Sequence, residues 1–247
     1  MERPDPDRLA AAVTPATRAV IVNTPHNPTG TVFTPAELRA VAEVAAAHDL
    51  GVVADEVYEH FAYARPHHSV RGFDGAGARV VVCSGPSKSL SITGWRIGWA
   101  VAEPALTTRL REAHRFLTFC AAAPLQAAVA TTLAWATGTG FFERQRDDYR
   151  ARRDLLVDAA RAAGLAAEAP EGGHFVVATV PGPRATSFDA ALRLAHEAGV
   201  VTLPLPTFFA EEAAADNLVR LAFCKGHAAL AAGAERLAEF GAAGGKR

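Results

Sequence analysis

The chain has 247 residues, 50% hydrophobic and 21% charged, which is too apolar for disorder and ample for a packed core. Its 25 Lys and Arg offset 26 Asp and Glu, for a net charge of -1. No electrostatic footprint therefore calls for nucleic acid or an anionic membrane surface. Cys83, Cys120 and Cys224 are widely spaced and form neither a metal pattern nor a disulfide framework, so a reducing cytoplasm is expected and no metal. Met1–Arg8 lacks the apolar stretch of a signal peptide, and no apolar run reaches the roughly 18 residues of a membrane span.

In chain order, Ala19–Val22 is a continuous apolar run, as expected of a strand buried on both faces. A turn-rich stretch, Asn23–Gly30, follows. Thr34-Pro35-Ala36-Glu37 then reads as a capping box with Pro at the first helical position. Leu38, Val41, Ala42, Ala45 and Ala46 continue at helical spacing, with Gly51 beyond the end. Val52–Asp55, Arg79–Cys83 and Arg96–Val101 are predicted strands. Strand, helix, strand at this spacing predicts an α/β fold with a mainly parallel sheet covered by helices.

Helices are predicted over Pro104–Phe119, Ala123–Ala136 and Phe141 to about Ala163. The pattern then changes. His174–Ala178, Val200–Leu203 and Leu218–Phe223 read as strands, and Phe188–Glu197 and Ala228–Phe240 as helices. Gly241–Arg247 reads as a flexible tail. This part is expected to form a small α+β domain, with boundaries at residues 1–140 and 141–247.

Four features carry chemistry. They are Asn27-Pro28-Thr29-Gly30; Asp55-Glu56-Val57-Tyr58; Ser87-Lys88 followed by Gly94-Trp95-Arg96-Ile97-Gly98; and Arg220. Asp55 and Lys88 come just after successive predicted strands, where open α/β sheets place ligand-binding groups. Singly, each has a bland reading as a turn, a helix cap or a solvated lysine. Arg220, inside an apolar strand, is harder to dismiss, because a buried guanidinium needs an anionic partner.

Together and in this order the four resemble the class I/II aminotransferases, pyridoxal-phosphate enzymes of fold type I. The run Ser87–Gly98 is similar to that family's cofactor-attachment signature. Phe116–Phe119 before Ala123-Pro124-Leu125-Gln126, with Arg220–Lys225, resembles the kynurenine and methionine aminotransferase branch. The resemblance implies transfer of an amino group between an amino acid and a 2-oxo acid, with pyridoxal 5'-phosphate as cofactor. It implies that Lys88 holds the cofactor covalently and moves the substrate Cα proton, and that Asp55 pairs with the ring nitrogen. Asn27 and Tyr58 would bond the phenolic oxygen, Arg96 the phosphate, and Arg220 the substrate α-carboxylate, with Asn27 beside it. A homodimer is implied as well.

The chain departs from the family pattern in three ways. Pro86 stands at a usually hydrophobic position. Gly85 replaces the phosphate-binding serine, leaving Ser84 or Ser87 to substitute. His174 stands where an aromatic hydroxyl is usual, and a histidine there reads more readily as packed than as catalytic. In the family, Asn-Pro-Thr-Gly follows a substantial N-terminal portion, so the expectation is an incomplete large domain followed by a small one. A carbon–sulfur β-lyase on the same scaffold and an inactive fragment are the alternatives.

Overall fold

The computed structural model describes residues 3–73, 79–181 and 186–244. Two compact units emerge, one of Met1–His26 with Thr31–Arg144 and one of Asn27–Gly30 with Gln145–Arg247.

The first unit is built on a four-stranded sheet in the order β1 (Ala19–Asn23), β2 (Gly51–Asp55), β3 (Val80–Ser84), β4 (Trp99–Val101). β1 with β2 and β2 with β3 are parallel; β4 runs antiparallel to β3. The helix α2 (Pro35–Ala47) follows a short α1 (Pro6–Ala11), which Asp5 caps through the Asp7 and Arg8 amides. α2 starts at the expected capping box, with Thr34 and Glu37 bonded to each other's backbone. Its Leu38, Val41, Ala42 and Ala45 meet Val22, Val52, Ala54, Val80 and Val82 in one buried cluster. A fully buried Leu such as Leu38 contributes roughly 1.5–3 kcal/mol.

Two expectations need correction here. β1 is not buried on both faces: it is the end strand, the face carrying Val22 packs on α2, and Ile21 is 76% exposed. The fourth strand starts at Trp99 rather than Arg96, because Thr93–Trp95 form a single tight turn. Arg96 closes that turn in the left-handed region at φ 55°. The two helices predicted next are present as α4 (Pro104–Leu117), which buries no side chain, and α5 (Ala123–Gly138), which buries only Val129 and Ala136.

The second unit holds α6, whose helix runs Phe141–Ala162 and begins before the unit boundary. A wholly antiparallel sheet follows in the order β5 (Ala166–Ala167), β6 (Phe175–Thr179), β8 (Leu218–Ala222), β7 (Leu203–Pro204). Val176, Ala178, Val219 and Leu221 alternate inward along β6 and β8, as one buried face requires. α7 (Ser187–Arg193) runs into a π turn at Leu194–Ala198 and ends on left-handed Gly199.

The expected strand from Val200 shrinks to Leu203–Pro204, since the Val200 amide is committed to the Leu194 carbonyl. The expected flexible tail is helical as far as Gly244, the end of α8 (His227–Gly244). Gly241 sits so close to α6 that a Cβ there would overlap the Ala162 carbonyl oxygen. Residues 245–247 of that tail lie outside the described residues.

Candidate active site

In the first unit the chemistry-bearing residues collect at the carboxyl ends of β2 and β3. Asp55 is the last residue of β2 and half-buried. Its Oδ1 accepts from the Val57 amide at 3.3 Å. Its carbonyl takes the Thr24 amide (3.2 Å) and Asn23 Nδ2 (3.1 Å), locking the strand end onto β1. In register with it on β3 is Cys83, whose thiol is pushed up by burial and further by the Asp55 charge.

β3 ends at Ser84, and Gly85 leads into α3, the single helical turn Pro86–Ser89 that carries Lys88. The close approach here explains the glycines. A Cβ on Gly85 would stand 3.0 Å from the Ile97 carbonyl oxygen and 3.1 Å from the Gly98 Cα. A Cβ on Gly98 would stand 3.2 Å from the Ser84 carbonyl oxygen. That contact draws the segment of Arg96 to the start of α3. Half-buried Lys88 places Nζ 5.9 Å from the ring centroid of Tyr58, which is only 3% exposed. Arg96 is exposed, donates to the Thr93 carbonyl at 3.1 Å, and borders a hollow of about 620 Å³ shared with His114 and Gln126.

Ser84 and Ser87 separate on geometry. The Ser84 hydroxyl is buried and donates to Glu59 Oε1 at 2.7 Å. Ser87 is half-buried on α3, next to Lys88.

In the second unit, Arg220 on β8 donates from Nη1 to Asn27 Oδ1 at 3.1 Å. Its guanidinium lies over the Phe175 ring at 4.0 Å and the Phe208 ring at 5.3 Å. An amide oxygen and two ring faces are among its neighbours, a setting that suits Arg through its planar, weakly hydrated head. The Asn27–Gly30 turn has a cis Asn27–Pro28 bond and places Gly30 at φ +71°. A Cβ on Gly30 would overlap Pro170 and come within 2.6 Å of the Gly172 carbonyl oxygen. His174 is buried and packs at 4.9 Å from the Tyr149 ring and 6.4 Å from Phe223. A packed role fits that surrounding.

Sequence reasoning missed Glu56, Glu59 and His67 in the first unit and Phe175 and Phe208 in the second. Glu56 carried a signal: side chains alternate across a strand, so an acid beside Asp55 faces inward and needs a partner. Glu56 is 2% exposed, and His67 Nε2 stands 3.0 Å from its Oε2. Nothing in the residue types brings Phe208 to Arg220.

What these groups offer chemically is a carboxylate, an amine, a phenol and a guanidinium in one unit, and a second guanidinium in the other. Among the described residues no helix is long and apolar enough to cross a membrane.

A family profile described as "Aminotransferase class I and II" matches residues 2–237. The chain is 38% identical over 234 residues to "Probable N-succinyldiaminopimelate aminotransferase DapC" of Mycobacterium tuberculosis, covering 90% of this chain and 58% of that protein. It is 34% identical over 240 residues to the methionine aminotransferase of Escherichia coli, covering 96% of this chain and 61% of that one. The solved M. tuberculosis N-succinyldiaminopimelate aminotransferase superposes with a TM-score of 0.88 at 37% identity, over 96% of this chain and 62% of that one. The chain thus spans about 60% of the length of the methionine aminotransferase.

Proposed function

The chain belongs to the class I and II aminotransferases, and on that premise we propose that it takes part in moving an amino group between an amino acid and a 2-oxo acid with pyridoxal 5'-phosphate. The observation that carries this reading is the grouping of Asp55, Tyr58, Lys88 and Arg96 after strands β2 and β3. These residues fit such a group: a carboxylate suits a ring nitrogen, a half-buried amine a carbonyl carbon, and a guanidinium a phosphate. The Gly85–Gly98 approach leaves room for backbone, not side chains, beside Lys88.

When bound, the cofactor supplies an electron sink conjugated to the substrate amine. Lys88 Nζ would hold it and, once released by the substrate amine, would serve as the base for the substrate Cα proton. Asp55 would keep the ring nitrogen protonated through a charge-assisted bond. Tyr58, whose ring lies 5.9 Å from Lys88 Nζ, would donate to the phenolic oxygen. Ser87 and Arg96 would hold the phosphate. We take Ser87 over Ser84, because the Ser84 hydroxyl is committed to Glu59, and a carboxylate beside a phosphate is repulsive. Arg220, steadied by Asn27 and two aromatic faces, binds the substrate α-carboxylate by its fork. The same reading places the protein in the cytoplasm, as a pair of identical chains.

Borohydride reduction of the protein with pyridoxal 5'-phosphate tests it. The expected result is one modified peptide, at Lys88, absent from Lys88→Ala, together with amino transfer that requires a 2-oxo acid. Label on another lysine overturns the assignment. Ammonia release without a 2-oxo acid marks a lyase instead.

A further inference from the structure

Glu56 and His67 form a buried pair that lies outside the roles given above. The bond between His67 Nε2 and Glu56 Oε2 is 3.0 Å, with side-chain exposures of 11% and 3%. Glu56 Oε1 and His67 Nδ1 are buried without a hydrogen-bond partner among the described residues. Each side chain therefore depends on the other for its buried polar contact.

The main chain of Glu56 is tied down as well. Its amide donates to the Cys83 carbonyl at 2.9 Å, and its carbonyl accepts the Glu59 amide at 2.9 Å. The residue stands between two site residues, Asp55 before it and Tyr58 two further on. The bond to His67 closes the loop that carries Tyr58 back onto the end of β2. Consecutive side chains leave a strand in opposite directions. Anchoring the Glu56 carboxylate on one side therefore sets the peptide plane that aims Asp55 on the other. The bond from Val57 to Asp55 Oδ1, at 3.3 Å, is a long one and a weak restraint by itself.

We propose that Glu56 and His67 are positioning residues, a buried brace that holds the Asp55 carboxylate and the Tyr58 loop in the geometry the cofactor requires. The proposal rests on the reading of Asp55 as the partner of the ring nitrogen. The ionisable group facing His67 from its own loop is His60, which in turn faces Glu59 and Glu143.

Cys83 supplies a readout that needs no cofactor, because its thiol titration senses the Asp55 charge across the register pair. The experiment uses the chain with Cys120→Ser and Cys224→Ser. It measures the pH dependence of Cys83 alkylation without cofactor, then the dissociation constant for pyridoxal 5'-phosphate. Glu56→Gln is expected to lower the Cys83 titration midpoint toward that of Asp55→Asn. It should also weaken cofactor binding roughly tenfold, the lower end of what losing an outer-shell partner costs a bound group. In the Asp55→Asn background it should change neither further.

His67→Gln, which keeps a donor toward Glu56, should restore most of what His67→Ala loses. That pair carries the same comparison if Glu56→Gln does not fold. Additive effects of Glu56→Gln and Asp55→Asn, or a wild-type Cys83 titration in Glu56→Gln and His67→Ala, overturn the proposal. If the parent chain binds no cofactor while Cys83 responds as expected, the functional reading falls and the positioning of Asp55 stands.

Discussion

Arg220 and Asn27, 193 residues apart in sequence, meet side chain to side chain at 3.1 Å. The amide oxygen occupies one edge of the guanidinium, and Phe175 and Phe208 cover its faces. These contacts hold the guanidinium plane in one orientation. Arg220→Lys keeps the charge and removes the plane that stacks and bonds two oxygens together. Hydrogen bonds to charged groups are worth about 1.5–3 kcal/mol, so the KM for the amino acid should rise roughly 10- to 100-fold. An amine lacking the carboxylate should react equally well with both proteins. A matching loss for that amine would remove Arg220 from carboxylate binding.

Ser87 and Ser84 should behave differently. Losing a bond to a charged phosphate costs roughly 1.5–3 kcal/mol, so Ser87→Ala should weaken pyridoxal 5'-phosphate binding at least tenfold. Ser84→Ala should leave that affinity near wild type and reduce thermal stability, since it strips a buried donor from Glu59. Titration of cofactor absorbance for both variants decides this, and the reverse order returns the phosphate to Ser84.

Two glycines make a paired test of backbone freedom. Gly30 has φ +71° and no room for a Cβ against Pro170. Left-handed strain and overpacking together predict a loss of roughly 2–4 kcal/mol for Gly30→Ala. Gly233 lies within α8 with nothing within 4 Å of its would-be Cβ. Gly233→Ala should add about 0.5–1 kcal/mol. Urea midpoints are the measurement, and a stabilised Gly30→Ala would refute the turn geometry.

The start of α2 predicts a pH dependence. Burial pushes Glu37 up, but its bonds to Thr34 and the charge of Arg3 outweigh this and hold it below its ordinary 4.5. A carboxylate lowered on folding stabilises above its unfolded value, and that contribution is lost as pH falls through the folded one. Thr34→Ala should therefore cost about 1 kcal/mol at neutral pH, with the gap narrowing below pH 4.5. A gap that stays constant down to pH 3 would rule the coupling out.

Local rules made much of this fold legible. The capping box at Thr34 and Glu37 located the start of α2, and apolar runs ending in Asp55 and Cys83 located β2 and β3 within a residue. What stayed hidden depends on tertiary context. Ile21 is as apolar as Val22, yet only contact with α2 separates the buried residue from the exposed one. Gly241 reads as the start of a flexible tail, and its helical role appears only once α6 packs against it. Arg96 was legible as a cation eight residues after Lys88, but not as the left-handed residue that delays β4. At the candidate site, the motif singled out Asp55 and Lys88, and the structure sets both at the carboxyl ends of β2 and β3. Glu56 and His67 were obscured because a pairing across a loop leaves no periodic trace.

α4 has a thermodynamic consequence of its own. Its 14 residues bury no side chain, and Phe116 and Leu117 are 85% and 82% exposed. A helix of that length is marginal by itself in water, and in this single chain only half-buried Leu106, Thr107 and Leu110 tie its opening to unfolding of the unit. Its amides should therefore exchange with solvent at a rate set by local fraying, while those of α2, sealed by Leu38 and Val41, follow the global transition. The first unit is then not one cooperative block: a substitution in α2 moves the melting of the whole unit, and one in α4 is barely registered.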